Sequence, residues 1–179
     1  MPAPLYFHPF VTRRHYIGFG PHMVSDLPSW VSLHGVAPHI TKVHHRYLWK
    51  MGGLRGKTMT FAPYVAATDP IYVMGHGSPG SHVLSTEVDG NVETCSTTRL
   101  EKLLRNHGLH INSQVHIRVH SCNSASAGGG TSFAQDLKAR LMASGYNNVT
   151  VRGYDCAVGV YLGVRWAGLL PADLYAHDF

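Results

Sequence analysis

The sequence predicts an α/β fold on a mainly parallel sheet, and three observations carry that prediction. Two short β-branched runs, Ile71-Tyr72-Val73-Met74 and Val115-His116-Ile117-Arg118-Val119, each stop shortly before a reactive side chain, His76 and Cys122. Small residues follow each one. Between and after these runs, residues 71–153 read strand, hairpin, helix, strand, helix, strand, and that alternation implies crossovers and parallel pairing. Finally, His76, Cys122 and the Asp155-Cys156 pair all fall at the carboxyl ends of the expected strands, where open α/β sheets place their sites.

The elements follow in chain order. Residues 1–57 carry scattered Pro, Gly and His, and periodicity does not decide their structure. They form a segment packed on the core, and residues 58–179 form the core of a single domain. Thr58-Met59-Thr60-Phe61 is compatible with a strand. Asp69-Pro70 marks a turn, and Ile71 to Met74 reads as a buried strand. Val83 to Val92, with Asp89-Gly90 inside it, reads as a hairpin. Thr98 and Glu101 form a capping box that opens a helix; Leu100, Leu103, Leu104 and His107 share its face, and Gly108 ends it. Gln114 to His120 is a strand, and Ser121 to Gly130 a loop of small residues. Ser132 and Gln135 make a second capping box. Phe133, Leu137 and Leu141 line that helix, and Gly145 closes it. Asn147-Asn148 turns into the strand Val149 to Arg152. The tail from Cys156 to Phe179 has apolar runs and Pro171 but no clear period.

Composition narrows the function classes. A chain of 179 residues with 44% apolar content can bury a sizeable core. Charged residues are only 14%, against about a quarter in an average protein. The net charge of +5 is spread without a dense Lys/Arg run, so a solvated basic face explains it and nucleic acid is not an expected partner. Three cysteines, Cys95, Cys122 and Cys156, do not make a disulfide framework and favour a reducing compartment. The first twenty residues are broken by Pro2, Pro4, Pro9 and arginines, which is not the pattern of a secretory signal. No stretch reaches the ~18 apolar residues of a membrane span. The expected location is cytoplasmic, or a host or target cell reached without a cleavable signal peptide.

The phosphate and metal readings fail on spacing. Gly56-Lys57-Thr58 lacks the earlier glycine of a P-loop, since position 51 is Met. His116 and His120 on one strand stand ~13 Å apart, too far to share a metal. His34, His39, His44 and His45 have no Cys or carboxylate spacing that supports zinc, so no metal is expected.

A thiol and an imidazole at one sheet edge can form a nucleophile and its acid/base partner. Cys122 follows an apolar strand and precedes a helix N-terminus near Ser132, a setting that favours thiolate. His76 sits between Gly75 and Gly77, which let a substrate backbone approach and leave an unhindered amide at 77. The bland readings are a small buried cysteine and an idle loop histidine.

Strand-Gly75-His76-Gly77 and strand-Ser121-Cys122-Asn123-Ser124 together resemble the caspase-like cysteine peptidases. The self-processing cysteine peptidase domains of large bacterial toxins are the most similar group. The resemblance covers roughly residues 58–155. It implies a three-layer α/β sandwich and a cysteine-dependent hydrolase, most simply a peptidase acting as a bacterial effector or toxin domain on a protein or peptide substrate. Cys122 would attack the scissile carbonyl and His76 would act as acid and base. The amides of Gly77 and Cys122 would form the oxyanion hole. Asp155, Arg152 and Ser121 would contact substrate, Asp155 selecting a basic residue or Arg152 an acidic one, a choice the sequence leaves open. No cofactor is required. The toxin domains are activated by inositol hexakisphosphate, and Lys42, Arg46, Lys50, Arg55 and Lys57 are the residues here that could offer such a face, although no motif supports it. The same dyad chemistry also serves deamidases and transglutaminases. A non-catalytic binding or adhesin-like domain on the same fold is the other alternative.

Overall fold

The computed structural model describes residues 5–7, 70–88, 91–106, 108–114, 116–161, 164–167 and 170–179. In chain order these form β1 (Leu5–Phe7), β2 (Pro70–Met74), β3 (Val83–Val88), β4 (Asn91–Ser96), α1 (Thr97–Asn106), β5 (His116–His120), α2 (Phe133–Ala143) and β6 (Thr150–Tyr154). Then come β7 (Gly159–Tyr161), β8 (Val164–Ala167), β9 (Leu170–Pro171), a 3₁₀ turn (Ala172–Tyr175) and β10 (Ala176–Asp178).

The fold is mixed α/β. Its central sheet has the order β1-β2-β5-β6-β10, with the first four strands parallel and β10 antiparallel on β6. Ile71, Ile117 and Val151 are register partners across β2, β5 and β6. Side chains alternate along a strand, so this row and the next, Val73 with Val119, face one way. Both rows enter a core with Leu100 and Leu104 of α1 and with Phe133, Leu137 and Leu141 of α2, all essentially inaccessible to solvent. The two helices also pack on each other, so they share one face of the sheet. On the other face Tyr72 and Tyr154 are buried as well. Tyr154 is covered by Tyr175 and Ala176 from the C-terminal segment. A helical third layer would have to come from outside the described residues.

Most expected elements are found with shifted ends. β3 and β4 form the expected antiparallel hairpin, with Val88 and Asn91 as the last pair before a two-residue connection; the turn itself, Asp89-Gly90, lies outside the described residues. α1 starts at Thr97, directly off β4, so its N-cap is Ser96, whose Oγ accepts from Arg99 N–H at 3.2 Å. Glu101 is therefore too far into the helix to complete a box with Thr98. It is buried, with Arg105 3.7 Å away one turn on. Ser132 caps α2 as expected, its Oγ accepting from Gln135 N–H at 3.2 Å. Gly145 ends α2 at a φ of 90°, with Tyr146 N–H reaching back to Leu141 C=O.

β6 runs two residues beyond Arg152, because β10 pairs with its carboxyl half through Ala176–Tyr154, His177–Gly153 and Asp178–Arg152. β1 places part of the first 57 residues in the sheet itself. The small sheet β7-β8-β9 is the other addition the sequence pattern did not reveal. The expected strand at 58–61 and residue His107 lie outside the described residues.

Candidate active site

The site begins with register. Met74 and His120 are the last partners of the β2–β5 ladder. Two residues further along each chain stand His76 and Cys122, so the parallel pairing brings both positions to one edge of the sheet. His76 is held by the hairpin: its N–H donates to Ser85 C=O at 2.7 Å, and Ser85 N–H donates back at 2.9 Å. Its side chain is exposed.

Gly77 joins the two strand ends. A Cβ there would lie 2.4 Å from Ser121 Oγ and 2.6 Å from Cys122 O, so only glycine fits without a shift. Ser121 is buried, and its Oγ has no hydrogen-bond partner among the described residues. Its hydroxyl thus lies under Gly77 rather than on an open substrate face. Among the described residues no acceptor is recorded for the Gly77 or Cys122 amide.

Beyond Cys122 the chain turns sharply. Asn123 has a φ of 55°, a left-handed conformation that asparagine tolerates better than most residues. The turn is stitched to β6 and the segment after it: Asn123 N–H donates to Cys156 C=O and Ala125 N–H to Tyr154 C=O, both at 2.8 Å. Ser124 Oγ links the strands, donating to Val119 C=O and accepting from Tyr154 N–H, each at 3.0 Å. A second clasp joins the loops after His76 and Cys122. Gly80 N–H donates to Ser126 C=O at 2.8 Å, and Gly80 and Gly128 approach so closely that a Cβ on Gly128 would sit 2.8 Å from Gly80 Cα.

The thiol of Cys122 is half-buried against the backbone of Val158. Val158 N–H donates to Sγ at 3.4 Å, and the thiol reaches Val158 C=O at 3.7 Å. The amides of the first turn of α2 find their partners close by. Ala134 N–H donates to Ser124 C=O, Gln135 N–H to Ser132 Oγ and Asp136 N–H to Ser132 C=O. These amides are consumed within the loop, and the donor that meets the thiol is Val158.

The other two thiols are poor nucleophiles. Burial pushes the Cys95 thiol up to about 12, with Arg99 opposing and Glu93 adding to the rise. Burial, then Asp155, then Cys122 push Cys156 up to about 11.

The residues expected to contact substrate divide. Arg152, expected as the last residue of its strand, lies two residues inside the end of β6. Its Nε and Nη2 grip Asp178 Oδ1 and Oδ2 at 2.7 and 2.6 Å. That hydrogen bond raises the guanidinium further and holds the Asp178 carboxyl below its usual range against the opposing effect of burial. Committed in this way, Arg152 is a poor selector for an acidic residue. Asp155 is at the strand end as expected, and its carboxylate meets His177 Nε2 at 3.0 Å.

Val158 and His177 were not legible as site residues. Val158 acts through its backbone, and His177 arrives on a three-residue strand from the far end of the chain. Among the described residues no group of three or more His, Cys, Asp or Glu is placed to hold a metal ion. Among the same residues no helix is long and apolar enough to cross a membrane. The basic positions Lys42 to Lys57 lie outside the described residues. No family model and no curated protein matches the chain.

Proposed function

We propose that the chain is a cysteine-dependent hydrolase of the caspase-like kind, a peptidase using Cys122 and His76 on a three-layer α/β sandwich. The observation that carries this reading is the β2–β5 register, with Met74 opposite His120 and a reactive residue two positions beyond each. The close seat of Gly77 on Ser121 and Cys122 supports it, because it keeps the two strand ends together.

In this reading the Cys122 thiolate attacks a peptide carbonyl carbon, and the carbonyl electrons move onto oxygen. The Gly77 and Cys122 amides stabilise that oxyanion. As the C–N bond breaks, His76 gives its proton to the leaving amine and a thioester remains on Cys122. His76 then takes a proton from water, the resulting hydroxide adds to the thioester, and collapse releases the carboxylic acid, which loses its proton to solvent, and restores the Cys122 thiolate beside the protonated His76. Val158 N–H offers the sulfur a hydrogen bond while it is anionic.

Cleavage of a mixed peptide library by the wild type, Cys122→Ala and His76→Ala proteins tests the proposal. Loss of cleavage by on the order of a thousandfold in both variants, with unchanged far-ultraviolet dichroism, is expected. Cleavage that persists in Cys122→Ala would contradict it.

A further inference from the structure

Residues 123–125 lie alongside residues 154–156. Asn123 N–H donates to Cys156 C=O and Ala125 N–H to Tyr154 C=O, both at 2.8 Å, so the residue after Cys122 is held against Cys156 itself. The Asn123 nitrogen is two covalent bonds from the Cα of Cys122, and the Cys156 oxygen two bonds from its own Cα. The two Cα atoms are therefore no more than about 8 Å apart. The side chains converge as well. Cys122 Sγ meets Val158 N–H at 3.4 Å and Val158 C=O at 3.7 Å, and Val158 packs with Cys156 against Tyr154. Charge on the Cys122 sulfur is also felt at Cys156, where it follows burial and Asp155 in raising the second thiol.

Both thiols are only half-buried, whereas Cys95 is fully enclosed in the core. A disulfide needs its Cα atoms about 4.4–6.8 Å apart, so at most a small approach is required. Asp155 and Ala157, on either side of Cys156, are exposed, and no core packing at these two positions opposes that approach.

We propose that Cys122 and Cys156 form a reversible redox pair, in which a hydroperoxide oxidises Cys122 and Cys156 then closes a disulfide on it. The Cys122 thiolate attacks one oxygen of hydrogen peroxide; the S–O bond forms, the O–O bond breaks and hydroxide leaves, giving a sulfenic acid. Cys156 gives its proton to that hydroxide, and its sulfur attacks the Cys122 sulfur. The S–S bond forms, the S–O bond breaks, and the second hydroxide takes up the proton that Cys122 had lost to solvent. Two electrons pass from the sulfurs to the peroxide, which becomes two waters. The sulfenic acid is neutral, so the influence of the Cys122 charge on Cys156 is lifted at the step that needs the second thiolate. A thiol returns the pair to its reduced state by exchange. The inference stands on the pairing of the two segments and does not require the hydrolase reading; under that reading the disulfide closes the nucleophile off.

Brief treatment of the reduced full chain with hydrogen peroxide, followed by alkylation in denaturant and non-reducing peptide mass spectrometry, tests it. The expected result is one linked pair of peptides carrying Cys122 and Cys156, lost on treatment with dithiothreitol, with Cys95 recovered alkylated. Dimedone, a sulfenic acid trap, should label Cys122 about fivefold more or better in Cys156→Ser than in the wild type, because the resolving thiol is gone. Cys95→Ser should leave the linked pair unchanged. A wild type that yields no Cys122–Cys156 link, whether Cys122 stays reduced, stops at the sulfenic acid or passes to the sulfinic acid, overturns the inference. So does a link that joins separate chains on a non-reducing gel, or dimedone labelling that ignores Cys156→Ser. None of these results touches the hydrolase reading, which is decided by peptide cleavage in the reduced protein.

Discussion

The Cα of Gly77 is seated on the carbonyl of Cys122, so closely that a Cβ at position 77 would lie 2.6 Å from that oxygen. The same Cβ would lie 2.4 Å from Ser121 Oγ. One obstacle is backbone and the other a buried hydroxyl, so neither can yield cheaply. Gly77→Ala is expected to push the two strand ends apart, costing about 1–3 kcal/mol of stability. Urea unfolding measures that cost. The same variant should lose peptide cleavage more severely than stability, because the dyad depends on strand-end spacing.

A partly buried polar link joins the two helices. Thr97 Oγ1 donates to Asp136 Oδ2, while Arg140 Nε donates to Thr97 Oγ1 at 2.9 Å and to Asp136 at 3.0 Å. Burial alone would push the Asp136 carboxyl up, but the hydrogen bonds from Thr97 and Arg140 outweigh it and hold the group low. Thr97→Val keeps the shape and removes the hydroxyl, leaving Asp136 short of one donor. A loss of about 1–3 kcal/mol is expected by chemical denaturation.

Acid stability follows from the sign of two shifts. Asp136 and Asp178 both ionise below their ordinary value of 3.8 in the folded protein. Each therefore contributes stability that is present above that value and is lost as pH falls through the lower folded value. Asp178→Asn should weaken this acid dependence and, because the Arg152 pair is partly solvated, cost about 1 kcal/mol or less at neutral pH. Thermal melts across the acid range, wild type against variant, supply the comparison.

At the alkaline end the thiols act in the opposite sense. The Cys95 thiol, raised from 9.0 to about 12, stays protonated in the fold at a pH where the unfolded chain has lost the proton. Its contribution is fully present below 9.0 and is lost as pH rises toward about 12, so stability should decline through that window. Cys156, raised to about 11, adds to the same decline. Cys95→Ala should flatten the fall in melting temperature above pH 9.0.

Much of the frame was legible because burial leaves a period in the sequence. Ile71, Val73, Ile117 and Val119 alternate against the helices, and Phe133, Leu137 and Leu141 repeat at helical spacing, so β2, β5 and α2 could be read directly. β1, β9 and β10 have only 3, 2 and 3 residues, too few to show alternation, and the partners of β1 and β10 lie far away in the chain. The sequence pattern of β6 stops two residues before the strand does, because its last pairs are made by β10. At the site, His76 and Cys122 stood out as side chains ending β-branched runs. What fixes the surroundings of Cys122 was hidden, because Val158 and Cys156 act through main-chain groups that any residue type would supply. Asn123 left a faint trace, since asparagine is among the few residues at home with a positive φ.

The three thiols give the most direct test of the central claim. Cys95 is fully buried and Cys156 is held protonated, whereas Cys122 is offered a hydrogen bond by Val158 at the edge that carries His76. Limited iodoacetamide labelling at about neutral pH, read by mass spectrometry, ranks their reactivity. The predicted result is that Cys122 is modified first and that His76→Ala slows its labelling by about tenfold or more. Equal labelling of the three cysteines, or a Cys122 rate that ignores the loss of His76, would contradict the dyad.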